Sequence, residues 1–292
     1  MKIQSFHEPD SGTWTHLLAD PVRQRAAIID PVWVYDPVSG LADATFIDQV
    51  LEEASQAGLQ IDWVLETHAH ADHLTAADLI RKRTGAKIAC SAGICGVQKN
   101  FVQVFNMMET ATDGSQFDLL LRDGDVISLG DIDICVIATP GHTGDSITYL
   151  AENAAFIGDT LFAPSFGTAR CDFPGGDAAQ LYESIMKLYQ LPGDTHLYLC
   201  HDYPKDDKVP LCRVSVEDSR QNNIHIRADT GREEFIAMRK GRDSQLSLPR
   251  LILPSLQVNI LAGAAPESDD NGVPYLRTPF NRMITDLIKG ET

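Results

Sequence analysis

Three histidines and an aspartate fall within six residues, as His68, His70, Asp72 and His73, and nothing else in the chain restricts the fold so tightly. Imidazoles at this density point to a metal. The preceding run, 61–66, is short and apolar with strand character, while 74–81 carries apolar residues at helical spacing, so the motif sits on a strand-to-helix turn. In an extended turn His68 and His70 point the same way, and Asp72 and His73 at the helix start point into the cleft from the other side. One turn can therefore feed one metal position or two adjacent ones. Three later residues complete the set: His142 in Thr139-Pro140-Gly141-His142-Thr143, Asp159 in Phe156-Ile157-Gly158-Asp159-Thr160, and His201 after Leu197-Tyr198-Leu199-Cys200. Each follows a β-rich run and so lies at a strand end, where loops carry chemistry. His7, His16, His196 and His225, taken singly, are read as surface or satisfied core residues.

The order HxHxDH, Gly-His, Gly-Asp and a final His resembles the metallo-β-lactamase fold superfamily, over residues 13 to about 205. The resemblance implies an α/β fold, an αββα sandwich with a C-terminal, partly helical extension. The expected division is a core over 1–205 and an extension over 206–292 packed on it, without domain independence. Fold alone never fixes the reaction.

Composition narrows the partners. A formal charge of -17 over 292 residues argues against nucleic acid and anionic membrane surfaces. An anionic substrate then needs a specific Arg or Lys to offset the surrounding field. No run approaches a membrane span and the amino terminus reads as no targeting signal, so a soluble, cytoplasmic protein is expected. The six cysteines (Cys90, Cys95, Cys135, Cys171, Cys200, Cys212) form no CxxC pair and are read as reduced thiols.

Along the chain, strands are expected at 13–20 and 25–30, the second ended by Asp30-Pro31, then a helix over 41–58 stopped by Gly58. A strand at 61–66, a helix at 74–84, a strand at 86–90 and a helix at 94–108 follow. Residues 91–116 separate strands more widely than this fold requires and are expected to form a lid or wall of the cleft. A meander at 117–121, 125–129 and 132–138 is punctuated by Asp-Gly turns. Strands at 146–151 and 154–158 precede a helix over 178–189 with Asp177 as its N-cap. A strand at 196–200 delivers His201. Helices over 215–223 and 231–240, a Pro-punctuated stretch and a final helix near 280–289 close the chain.

Two readings of the metal site arise within this fold. With two metals, zinc or iron, His68, His70 and His142 take one, Asp72, His73 and His201 the other, and Asp159 bridges them for hydrolysis. With one metal, His68, His142 and Asp159 form a two-histidine, one-carboxylate face suited to Fe(II). The stretches Thr67 to Ala77 and Ala169 to Asp177 are similar to those of the persulfide dioxygenase branch, with further similarity through 191–194 and 201–203. That resemblance implies one Fe(II) per chain held by His68, His142 and Asp159, the catalytic set, and oxidation of glutathione persulfide by O₂ to sulfite and glutathione. His70, Asp72, His73 and His201 then orient ligands and waters, or hold a second ion. Glyoxalase II, a glutathione thioester hydrolase, shares HxHxDH and the final His-acidic-Tyr; a thiol-binding metalloprotein without turnover is the third class. Arg170 is the expected anchor for a glutathione carboxylate, against an internal pair with Asp172. Tyr203, Asn259 and Gln257 are candidate substrate contacts, packing or capping being the other reading of each. Cys171 is read as an unreactive loop thiol. A homodimer is compatible with the sequence.

Overall fold

The computed structural model describes residues 1–203, 208–282 and 284–289. The chain opens with strands β1 (Lys2–Glu8), β2 (Thr13–Asp20), β3 (Arg25–Ile29), β4 (Val32–Asp36) and β5 (Leu41–Asp43), then helix α1 (Thr45–Gln56) and β6 (Gln60–Leu65). Next come β7 (Leu74–Thr75), α2 (Ala77–Thr84), β8 (Lys87–Ser91), α3 (Ile94–Val104) and β9 (Leu119–Leu121). Strands β10 (Val126–Leu129), β11 (Ile132–Ala138), β12 (Ile147–Ala151) and β13 (Ala154–Phe156) lead to α4 (Ala178–Leu188), β14 (His196–Tyr198) and β15 (Arg213–Ser215). Four helices follow: α5 (Val216–Asn222), α6 (Arg232–Asp243), α7 (Ile252–Asn259) and α8 (Ile284–Lys289).

Two six-stranded sheets, β1-β2-β3-β6-β8-β9 and β10-β11-β12-β13-β14-β15, face one another. Between them lies a core that includes Leu18, Ile29, Leu65, Ile134, Tyr149 and Phe156. On the outer face of the first sheet α1, α2, α3 and α7 bury Ile47, Val50, Ile80, Phe101 and Leu256. The second sheet is covered by α4 and α6, through Leu181, Ile185 and Phe235. This is the expected αββα sandwich. Strands buried on both faces read as continuous apolar runs, as Ala26 to Ile29 does, and the parallel β3–β6–β8 order requires the helical crossovers α1 and α2.

Several local expectations are corrected. The helix expected over 41–58 starts at Thr45, because Leu41–Asp43 pairs with β4. Leu74–Thr75 is extended rather than helical, since it pairs with Val32 and Trp33 of the same strand. Neither β1 nor α7 was anticipated. α7 contains Pro254, but at the third helical position, where the backbone N–H has no intrahelical partner to lose. Residues 91–116 contribute nothing to the lining of the metal-side cleft. Instead Ile94, Phe101 and Phe105 pack in the cluster that holds Ile252, Leu256 and Ile284, so the segment supports the C-terminal helices. The expected boundary after residue 205 lies in 204–207, outside the described residues.

Candidate metal centre

The loops after β6, β11, β13 and β14 emerge at one edge of the sandwich and carry His68 to His73, His142, Asp159 and His201 respectively. Two glycines let them converge. Gly141 has φ +142°, and a Cβ there would sit 2.3 Å from the Leu181 backbone of α4. Gly158 has φ +52°, and a Cβ would meet Thr67 Oγ1 at 2.6 Å. The glycines beside His142 and Asp159 are thus required by close approach as well as by backbone conformation.

His68, His142 and Asp159 are all buried, and their ligand atoms lie within 4.8 Å of one another. The two imidazoles are held alike. His68 Nδ1 lies 3.0 Å from Thr67 Oγ1, whose hydroxyl donates to Asp30 Oδ2 at 2.9 Å. With its own hydrogen given to Asp30, Thr67 Oγ1 is left to accept from Nδ1. His142 Nδ1 donates to the Arg170 carbonyl at 2.7 Å. Each ring therefore keeps its proton on Nδ1 and turns the Nε2 lone pair inward, the tautomer a metal requires. His68 Nε2 is buried without any hydrogen-bond partner, and Asp159 Oδ1 makes no hydrogen bond and has only His201 Nε2 near it, at 3.5 Å, a costly condition that a cation at this position relieves. Burial, reinforced by His70, His142, His201 and His73, holds His68 well below the usual histidine range and so neutral.

A second group joins His70, His73, His201 and Cys200 within the same mutual distance. Its members are held unevenly, and only His201 in the manner of the first group. His70 Nε2 faces Asp30 Oδ1 at 3.1 Å and Glu66 Oε2 at 3.5 Å, and only Nδ1 is left over. Burial disfavours the imidazolium, but the two carboxylates outweigh it and raise His70 well above its ordinary value. Neither ring nitrogen of His73 has a partner. His201 Nδ1 lies 3.2 Å from Thr13 Oγ1, while Nε2 stands 3.2 Å from Asp72 Oδ2 and 3.5 Å from Asp159 Oδ1. Burial and nearby carboxylates push the Cys200 thiol well up, away from the thiolate a metal would bind.

Beneath both groups lies a support that no local sequence pattern marks. Asp30, with φ +50°, accepts from Thr67 N and Thr67 Oγ1 and pairs with His70, some forty residues away. Burial pushes its carboxyl up, yet His70 and Thr67 hold it below the usual range. Asp145 accepts from Ala69 N at 2.9 Å, and Tyr149 donates to the Glu66 carbonyl at 3.0 Å, tying the turn to the second sheet.

A cleft of about 470 Å³ opens on this centre, lined by Asp72, His73, His142, Asp159, Tyr203 and Phe173 among others. Tyr203 stacks on His201, ring centroids 5.7 Å apart and nearly parallel, with 46% of its surface exposed. Asn259 is corrected from a substrate contact to a packing one, and Gln257 takes the packing reading open to it. Asn259 on α7 donates to the His70 and His73 carbonyls, each at 2.8 Å, and accepts from Thr75 N at 2.9 Å. Its amide is spent on fastening the metal turn. Gln257 is likewise filled by Leu253, Arg277 O and Arg277 N. Arg170 lines the cleft, but Nε and Nη2 fork onto Asp172 at 2.6 and 2.7 Å and Nη1 donates to the Ser247 carbonyl. Its charge is already met, and its plane lies over Phe173 at 4.9 Å. The Cys171 thiol is buried, and burial raises it, in keeping with an unreactive loop thiol.

A family model for the metallo-beta-lactamase superfamily matches residues 25–201. The chain belongs to this superfamily. Among its relatives, a probable metallo-hydrolase of Burkholderia pseudomallei is 44% identical over 294 residues, covering 97% of this chain and 100% of the relative. Glyoxylase B2 of Dictyostelium discoideum is 40% identical, covering 97% and 98%. The mitochondrial persulfide dioxygenase ETHE1 of Homo sapiens is 33% identical over 204 residues, covering 69% and 68%. The crystal structure of ETHE1 from Myxococcus xanthus superposes with a TM-score of 0.73 at 31% identity, covering 90% of this chain and 100% of that one. The superfamily's metal dependence agrees with the histidine and aspartate groups found here. No helix among the described residues is long and apolar enough to cross a membrane.

Proposed function

We propose that this protein is a persulfide dioxygenase that oxidises glutathione persulfide with O₂ at one non-haem iron held by His68, His142 and Asp159. The observation that carries the reading is the unequal preparation of the two groups. Only the first has every imidazole fixed through Nδ1 and turned inward, with a buried carboxylate oxygen that makes no hydrogen bond beside them. Similarity to persulfide dioxygenase ETHE1 supports the same choice. Two histidines and one carboxylate suit Fe(II) and leave positions open. Bound iron(II) supplies the redox chemistry that lets O₂ react with a closed-shell sulfur anion. One persulfide, one O₂ and one water give sulfite, the thiol and two protons.

The chain's own residues do the rest. The cleft walls, with Phe162, Phe166 and Phe173, shield the reacting sulfur from bulk water. His201, between Asp72 and Asp159, orients the ligating carboxylate, and Asp72 stays ionised, its carboxyl held down at about 2 because His201, His73 and His70 outweigh its burial. Tyr203 presents a half-exposed ring to an incoming substrate.

A second reading has its own support: His70, His73 and His201 cluster beside the first group, and two relatives carry the names metallo-hydrolase and Glyoxylase B2. On that reading the protein is a binuclear glutathione thioester hydrolase. An oxygen electrode separates the two. Iron-loaded protein with glutathione persulfide is expected to consume O₂ and release sulfite; hydrolysis of a hydroxyacylglutathione thioester without O₂ uptake would replace this proposal by the second.

A further inference from the structure

Away from the metal, the cleft carries cations that the proposed chemistry has not used. Arg170, Arg239, Arg242 and Arg250 all line it, in a chain of net charge -17. Two of them are already neutralised. Arg170 is held by Asp172, and the buried Arg239 donates from Nε and Nη2 to Asp243 Oδ1 at 2.8 and 2.6 Å, with Nη1 on Thr168. Arg242, near the end of α6, and Arg250, just before α7, are both exposed. Among the described residues, neither guanidinium has a hydrogen bond or an ion pair.

His225 lines the same cleft. Its Nδ1 accepts from Thr168 N at 3.0 Å, so its hydrogen resides on Nε2, which is buried and has no acceptor. Burial, then Arg242 and Arg239, keep this imidazole down at about 4, so it remains a neutral donor at physiological pH. Three donor groups without acceptors thus share one cleft. In a strongly acidic protein, unpaired guanidinium groups repel no one but cations and bind anions by a planar fork.

We propose that Arg242 and Arg250 are the specificity-determining anchors of the cleft, each binding one carboxylate of a small peptide thiol with two carboxylates, such as glutathione, with His225 Nε2 as a further donor. This rests on the reading that the cleft takes a thiol-borne substrate. It moves the anchoring role from Arg170, whose fork is filled, to two residues of the C-terminal extension.

The test is calorimetric titration of the metal-loaded protein with S-methylglutathione, which cannot be oxidised at a thiol, and with its dimethyl ester, which lacks both carboxylates. Arg242→Ala and Arg250→Ala are each expected to weaken S-methylglutathione about tenfold, the size of one charge-assisted contact. Arg242→Lys should recover part of the loss. The ester should bind wild type and variants alike. Both side chains are exposed, so thermal midpoints should not move. Equal affinity of wild type and the double variant for S-methylglutathione, or no binding by wild type, would overturn the proposal. Arginine-dependent binding without O₂ uptake from glutathione persulfide leaves the anchors standing and removes the dioxygenase reading. O₂ uptake with a KM indifferent to both arginines does the reverse.

Discussion

The two histidine groups at the sheet edge differ less in what they contain than in how they are held. In the group of His68, His142 and Asp159, each imidazole gives its Nδ1 hydrogen to an oxygen that is itself fixed, Thr67 Oγ1 or the Arg170 carbonyl. In the group of His70, His73, His201 and Cys200, one ring is locked between Asp30 and Glu66, one has no partner at either nitrogen, the thiol is held protonated, and only His201 has its Nδ1 against a hydroxyl, that of Thr13. Ligand count alone would rank the second group higher. Outer partners that fix tautomer and orientation reverse the ranking, because an unoriented ring must lose rotational freedom when a metal binds. The lesson is that the oxygens behind the ligands distinguish a metal position from a cluster of metal-capable residues.

The largest effect should come from the ligands themselves. His142→Ala or Asp159→Ala is expected to abolish iron retention and O₂ uptake, whereas His73→Ala should keep iron close to the wild-type content, as read by elemental analysis. Equal iron loss in all three would erase the distinction between the groups. Next is Asp30→Asn, which leaves the His70 imidazolium buried against Glu66 alone. Breaking a buried pair in this way should cost about 3–5 kcal/mol in denaturant unfolding. A cost near zero would mean that the shared support beneath both groups is not under electrostatic tension. Smaller again is Asn259→Ala, which strips a donor from the His70 and His73 carbonyls and an acceptor from Thr75 N. It should lower iron affinity about tenfold to a hundredfold with the first-group ligands intact. Unchanged affinity in a competition assay with a chelator would show that the turn holds its shape without α7.

The sandwich was legible because the metal residues fall in an order tied to strand ends, and because parallel strands such as Ala26 to Ile29 are apolar without interruption. Less was legible where a residue's role depends on a partner distant in sequence. Asp30 reads as the end of a strand before a proline, and nothing local says that it meets His70 and Thr67. Asn259 is open in the sequence to a substrate contact or a packing role, and in the fold its amide serves three backbone groups of the metal turn. Arg170 did sit beside the cleft, but Asp172, two residues on, takes its charge. Pro254 reads as punctuation in the sequence, yet its place in the first turn of α7 costs the helix little. Arg242 and Arg250 lie in a stretch of ordinary polar composition, and what sets them apart is that, among the described residues, neither guanidinium makes a hydrogen bond or an ion pair, although Asp36 lies close enough to feel the charge of Arg250.

Anomalous diffraction at the iron edge, from crystals of protein loaded with Fe(II), tests the central assignment most directly. The account predicts one iron per chain, bound by His68 Nε2, His142 Nε2 and Asp159, with no metal peak among His70, His73 and His201. Two peaks of comparable occupancy, one in each group, would contradict it.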